Sequence, residues 1–213
     1  MLEKHIVNIG QARAGTTWLW KCAKFDPMHD KENDILMKSL DFDQYIKYYN
    51  QYQVSANFQV NLWHVDREIV QFVQRHASHI TFIIRNPFDF VERYFDWIYQ
   101  GQDTKTLTQY LVSTVYVNYR DIVERWASGS KKFKIFFFED LANNPEIFFK
   151  EYMTFCQLPI AETDTFNYNT IVNANPKQEK TKLEFTNDQI NFINHEIDRF
   201  QSIIDRDLTH WKK

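Results

Sequence analysis

Only four glycines, five prolines and two cysteines occur among the 213 residues of this chain. Two cysteines do not make a disulfide scaffold, which needs several pairs in a short secreted chain. Cys22 and Cys156 each fall in an apolar helical pattern and are expected as buried, reduced thiols. No Cys/His spacing suggests zinc. No apolar run approaches the ~20 residues of a membrane-spanning helix. Met1 stands only a few residues before the first expected strand, with no signal-peptide pattern, so a soluble, cytoplasmic protein is expected. The net charge is only −3, which argues against a general nucleic-acid coat. Repeats, low-complexity tracts and interdomain linkers are also missing. The few glycines beside many Phe, Asn and Lys hint at an AT-rich genome.

What is present is core-forming material. Hydrophobic residues make up 44% and aromatics 17% of the chain, so disorder is not expected. This length suits one domain, 1–213, with a central sheet and helices on both faces. Strand signals lie near 5–9, 53–58, 80–84 and 134–138. Helix signals lie near 16–24, 43–50, 67–76, from Asn86-Pro87, about 107–126, and from Asn144-Pro145 to about 156. Asp66 reads as an N-cap, and Thr186 with Gln189 as a capping box for a last helix. The segments 26–34 and 167–182 are polar. Alternating strands and helices imply an α/β fold with a mostly parallel sheet, whose ligands bind at the carboxyl ends of the strands. That rule puts the loop 10–17, Arg85 and Glu139-Asp140 along one rim.

Two stretches carry chemistry. In KHIVNIGQARAGTTWLW (4–20), an apolar strand meets a loop bracketed by Gly10 and Gly15, and Thr16-Thr17 open a helix. Glycines allow the tight turn, and N–H groups at a helix start point at a phosphate. A Walker A loop needs a lysine where Thr16 stands, and the loop's only cation is Arg13. The loop therefore suits phosphate but not an Mg-nucleoside triphosphate. In ITFIIRNPFDFVERYF (80–95), a buried strand ends in Arg85, Asn86 caps the next helix, and Asp89 and Arg93 follow. One account is an Asp89–Arg93 pair with a structural Arg85. The other is a second phosphate site gripped by guanidinium groups.

With both motifs in view, the chain resembles the sulfotransferases that use 3′-phosphoadenosine-5′-phosphosulfate. Their 5′-phosphosulfate loop, Lys/Arg-Ser-Gly-Thr-Thr, matches Arg13-Ala14-Gly15-Thr16-Thr17, followed by Trp18 as in the cytosolic branch. Their 3′-phosphate motif, Arg-Asn-Pro, matches Arg85-Asn86-Pro87, with Arg93 where a serine is usual. Asp26-Pro27 and Lys31-Glu32 resemble the stretch where the Golgi glycan branch keeps its catalytic glutamate. Gln53–Phe58 resembles Glu-Lys-Ser-Ala-Asn-Tyr without its charged pair. Phe138-Glu139-Asp140-Leu141 and Asn144-Pro145-Glu146 resemble Tyr-Glu-Asp-Leu…Pro-Glu. The similarity runs from residue 5 to about 160.

The resemblance implies a P-loop-like phosphosulfate loop and sulfuryl transfer to a hydroxyl or amine, with adenosine 3′,5′-bisphosphate as product and no required metal. Arg13 would neutralise the leaving phosphate, and residues Ala14 to Thr17 would hold it. Trp18 either stacks on adenine or fills the core. Arg85 and Arg93 would hold the 3′-phosphate. Glu32 is the expected base and His64 its competitor, 21 residues before Arg85. Lys177 or Lys180 would reach a phosphate from a closing loop. The expected partner is a small-molecule, glycan or peptide acceptor, with neither nucleic acid nor membrane, and the sequence leaves oligomeric state open. Two rivals remain: a P-loop kinase, favoured by the Walker-B-like Ile135–Asp140 run, and a non-catalytic module that binds the bisphosphate.

Overall fold

The computed structural model describes residues 3–25, 31–32, 35–59, 62–98, 109, 112, 117–128, 132–160 and 183–213. The chain divides into two compact units: Met1–Ile84 with Trp126–Ala174, and Arg85–Arg125 with Asn175–Lys213.

The first unit holds the sheet. Strands β1 (Lys4–Asn8), β2 (Val54–Asn57), β3 (His79–Ile84) and β4 (Phe133–Phe137) are all parallel, in the order β2-β1-β3-β4. β1 lies inside the sheet, pairing Ile6 with Ala56 on one side and with His79 on the other. Every residue of β3 is buried, as expected for an inner parallel strand covered on both faces. β4 at the edge is mostly half-buried. The strand order reverses around β1, and such switch points open a crevice at the carboxyl ends.

Helices of this unit follow from their apolar spacing. α1 (Thr16–Cys22) buries Trp18, Leu19 and Cys22. The short α2 (Ile35–Lys38) precedes α3 (Phe42–Tyr49), which is capped by Asp41 through Gln44 N–H and buries Tyr45 and Tyr49. α4 (Arg67–His76) buries Ile69, Val70, Phe72 and Val73, a stripe at helical period. Asp66 occupies its N-cap position, but its side chain makes no capping bond.

In the second unit, α5 (Pro87–Ile98) starts at the proline, and Asn86 Oδ1 accepts from Phe88 N–H at 2.9 Å. α6 is Tyr119–Ala127, of which residues up to Arg125 belong to this unit. The expected unbroken helix over 107–126 is corrected here: Asn118 is not helical, and its Oδ1 accepts from Asp121 N–H at 3.3 Å, starting a new helix. Back in the first unit, β4 ends one residue early, because Phe138 already begins α7 (Phe138–Asn143). α8 (Pro145–Phe155) has Asn144 as side-chain cap and Pro145 in its first turn. α9 (Asn187–Gln201), in the second unit, carries the full Thr186–Gln189 capping box.

The core of the sheet unit gathers Ile6, Leu19, Trp20, Phe58, Phe136, Phe149 and Tyr152. Cys22 and Cys156 are free and buried in it, as expected. Burial pushes both thiols up to about 12. Among the described residues, no helix is long and apolar enough to cross a membrane.

Candidate functional site

The loop after β1 is fastened to β3. Ile9 N–H donates to Thr81 O at 2.9 Å and Gln11 N–H to Ile83 O at 2.8 Å. Ala14 N–H turns back to Gln11 O at 3.3 Å. Arg13 and Gly15 both take positive φ, 63° and 84°. A side chain at Gly15 would be strained by that backbone, and its Cβ would also meet Leu141 Cδ2 at 2.4 Å. Leu141 belongs to the Phe138–Leu141 stretch singled out in the sequence, so that stretch roofs the turn. At Gly10 a Cβ would lie 2.9 Å from the Phe82 ring and 3.2 Å from the Trp63 ring. Here glycine is needed for close approach.

Gly15 is the N-cap of α1 and provides no side-chain cap. The N–H groups of Gly15, Thr16 and Thr17 therefore have no intrahelical acceptor, the arrangement that receives an anion. Arg13 is exposed on this turn, while Ala14 and Thr16 are buried and Thr17 half-buried. Trp18 is 7% exposed and meets Phe148 and Phe149 edge-on, each 6.4 Å between ring centroids. That is the packing role the sequence left open beside adenine stacking.

Behind the loop lies a polar chain that the motifs did not reveal. Asn8 Oδ1 accepts from Gly10 N–H at 3.3 Å, and Asn8 Nδ2 donates to Thr81 Oγ1 at 2.9 Å. Thr81 Oγ1 lies 3.4 Å from Tyr152 OH. All three side chains are fully buried. Burial holds the Tyr152 phenol well above its ordinary range, so it stays neutral. The only sequence signal was a polar residue inside each of two apolar strands.

Of the candidate bases, Glu32 precedes β2 in the chain and His64 follows it. Phe58 N–H donates to Lys31 O at 2.8 Å, which seats Lys31-Glu32 at the carboxyl end of β2, beside β1 and its loop. Glu32 Oε1 is 2.6 Å from Lys31 Nζ, with the carboxylate side chain 41% exposed. The turn Leu62–His64 is a 3₁₀ helix whose Trp63 is buried. The His64 side chain and all of Lys177 and Lys180 lie outside the described residues.

In the second unit, Arg85 is 8% exposed and its Nη2 stands 3.7 Å from Asp89 Oδ2, longer than a hydrogen bond. Thus Asp89 faces Arg85 in the first turn of α5. Arg93 is half-buried two turns from the helix start. Tyr119 OH donates to Arg85 O at 2.8 Å, and Asn86 Nδ2 donates to Trp211 O at 3.2 Å.

No family model matches this sequence, and no curated protein matches it. Solved structures do. A sulfotransferase from Alicyclobacillus acidocaldarius aligns over 100% of both chains at 15% identity with a TM-score of 0.63. The fold is that of the sulfotransferases. Mouse sulfotransferase SULT7A1, crystallised with PAP, aligns over 96% of this chain and 87% of its own at 14% identity, also at a TM-score of 0.63. That likeness agrees with the α/β class expected from the sequence and seen in the parallel sheet. At these identities the likeness is one of fold, and the site residues rest on their own geometry.

Proposed function

We propose that this chain transfers a sulfuryl group from 3′-phosphoadenosine-5′-phosphosulfate to a hydroxyl or amine of a small-molecule, glycan or peptide acceptor. The observation that carries the reading is the glycine-capped turn at Arg13–Thr17 on a sulfotransferase fold. Its fit to a phosphate is the set of backbone N–H groups that open α1, on a left-handed turn where Gly15 leaves no room for a Cβ beside Leu141. The missing loop lysine argues against a P-loop kinase.

The donor, when bound, supplies the sulfuryl group and a 5′-phosphate as leaving group. The N–H groups of Gly15 to Thr17 hold that phosphate, and Arg13 neutralises the charge that develops there. Glu32 or His64 takes the acceptor's proton, a contribution of ~10²–10⁴ in rate. Arg85, with Arg93, binds the 3′-phosphate, and so separates the donor from ATP.

Calorimetric titration tests the reading. Adenosine 3′,5′-bisphosphate binds more tightly than adenosine 5′-monophosphate, and Arg85→Ala weakens the bisphosphate ~10- to 100-fold while sparing the monophosphate. Equal losses for both ligands overturn the 3′-phosphate assignment. Mg²⁺-dependent ATP binding without preference for a 3′-phosphate restores the kinase. Tight bisphosphate binding with no transfer of labelled sulfate to any acceptor leaves a binding module.

A further inference from the structure

The corner Arg85-Asn86 is anchored by residues far away in the chain. The first ladder bond of α5 runs from Phe90 N–H to Asn86 O at 2.8 Å. Arg85 O sits one residue ahead of that ladder, so its partner must come from elsewhere. It comes from Tyr119, 34 positions on, whose hydroxyl donates at 2.8 Å. Tyr119 is 1% exposed, and its ring meets Phe200 and Trp211 edge-on at 5.6 and 6.3 Å. Asn86 is held twice. Its Oδ1 caps α5 through Phe88 N–H, and its Nδ2 reaches Trp211 O at 3.2 Å. The segment carrying Trp211 is itself tied down, since Asn194 Nδ2 donates to Lys213 O at 2.9 Å and Lys213 N–H returns to Asn194 Oδ1 at 3.3 Å.

We infer that Tyr119 is a positioning residue for 3′-phosphate recognition, fixing the main chain from which the Arg85 guanidinium extends. The inference rests on the proposed function and adds a residue to it. A guanidinium at the end of a long side chain grips phosphate in a bidentate fork only after its rotatable bonds are ordered. A fixed main chain at Arg85 sets the point from which that side chain extends, so that only its own rotatable bonds remain to be ordered on binding. The Asn86–Trp211 bond does the same for the next residue. None of this touches a 5′-phosphate, so the effect is specific to ligands that carry a 3′-phosphate.

Tyr119→Phe removes one hydroxyl and keeps the ring contacts with Phe200 and Trp211. Titrations with adenosine 3′,5′-bisphosphate and adenosine 5′-monophosphate should show the first weakened about three- to tenfold and the second unchanged. In an Arg85→Ala background the same substitution should have no further effect on the bisphosphate. A merely structural tyrosine lowers the melting temperature and weakens both ligands equally, and that result overturns the inference. So does an unchanged bisphosphate affinity, or a Tyr119→Phe loss that persists undiminished beside Arg85→Ala. Failure of the underlying reading looks different: Arg85→Ala alone then fails to separate the two ligands, and the inference falls with it.

Discussion

Gly15 and Arg13 share a left-handed backbone but answer to different demands. Gly15 has no room, since a Cβ there meets Leu141. Gly15→Ala should destabilise the protein by about 1–3 kcal/mol in urea unfolding, from strain and overpacking together. Arg13 is exposed, and its positive φ carries a cost that glycine would not. Arg13→Gly should therefore hold stability or raise it by up to about 1 kcal/mol. The same variant should lose affinity for the bisphosphate and lose turnover, which parts the residue's charge from its shape. A stability loss in Arg13→Gly would show that its side chain packs as well as binds. Glu32→Gln and His64→Asn decide the base by the same logic. The true base loses ~10²–10⁴ in kcat with little change in bisphosphate binding, and full turnover in both removes both. The motif Arg13–Thr17 was legible as a string, because glycine and hydroxyl spacing encodes a turn. The side chains packed against the loop, Leu141 beside Gly15 and Trp63 beside Gly10, were not, because they come from distant segments.

The elements were readable where local chemistry sets their ends. Asn86-Pro87, Asn144-Pro145 and Thr186–Gln189 each start a helix where the residue types require one. The stretch 107–126 misled because its apolar spacing continues through Asn118, while the side chain of Asn118 caps a fresh start at Tyr119. Between elements, the Asn8–Thr81–Tyr152 chain couples β1, β3 and α8 to the loop at Gly10. Thr81→Val keeps the shape and takes one hydrogen-bond partner each from buried Asn8 and Tyr152, at about 1–3 kcal/mol. Its effect should extend to weaker binding of both adenosine ligands, because the turn proposed to hold the 5′-phosphate loses its backing. Tight, unaltered binding in a destabilised Thr81→Val protein would confine the chain to stability.

At the scale of the whole molecule, the buried acids predict an alkaline limit. Burial raises Cys22 and Cys156 from 9.0 to about 12, and raises the Tyr45 and Tyr152 phenols as well. The folded state therefore holds protons that the unfolded chain releases. Stability is whole below pH 9, where the unfolded thiols still carry their protons, and falls as pH climbs through 9 toward about 12. Urea midpoints should decline steadily above about pH 9, and Cys22→Ala/Cys156→Ala should make the decline shallower. An unchanged slope would assign the loss to the tyrosines. On the acid side His79 acts in the opposite sense. Burial, then Lys132 and Lys4, lower its proton affinity, so the fold loses stability as pH falls below 6.5.

The sequence by itself determined the class of the fold, the start of most helices, and the two strings that form a glycine turn and an arginine corner. These are local properties: periodicity, caps, and the freedom of glycine. Tertiary structure decided the strand order around β1, the seating of Lys31-Glu32 at the end of β2, and the contacts that Leu141 makes with Gly15 and Tyr119 with Arg85. Those pairings join residues tens to more than a hundred positions apart. They are selected by packing and by the need to satisfy buried polar groups, and neither demand leaves a periodic mark on the chain.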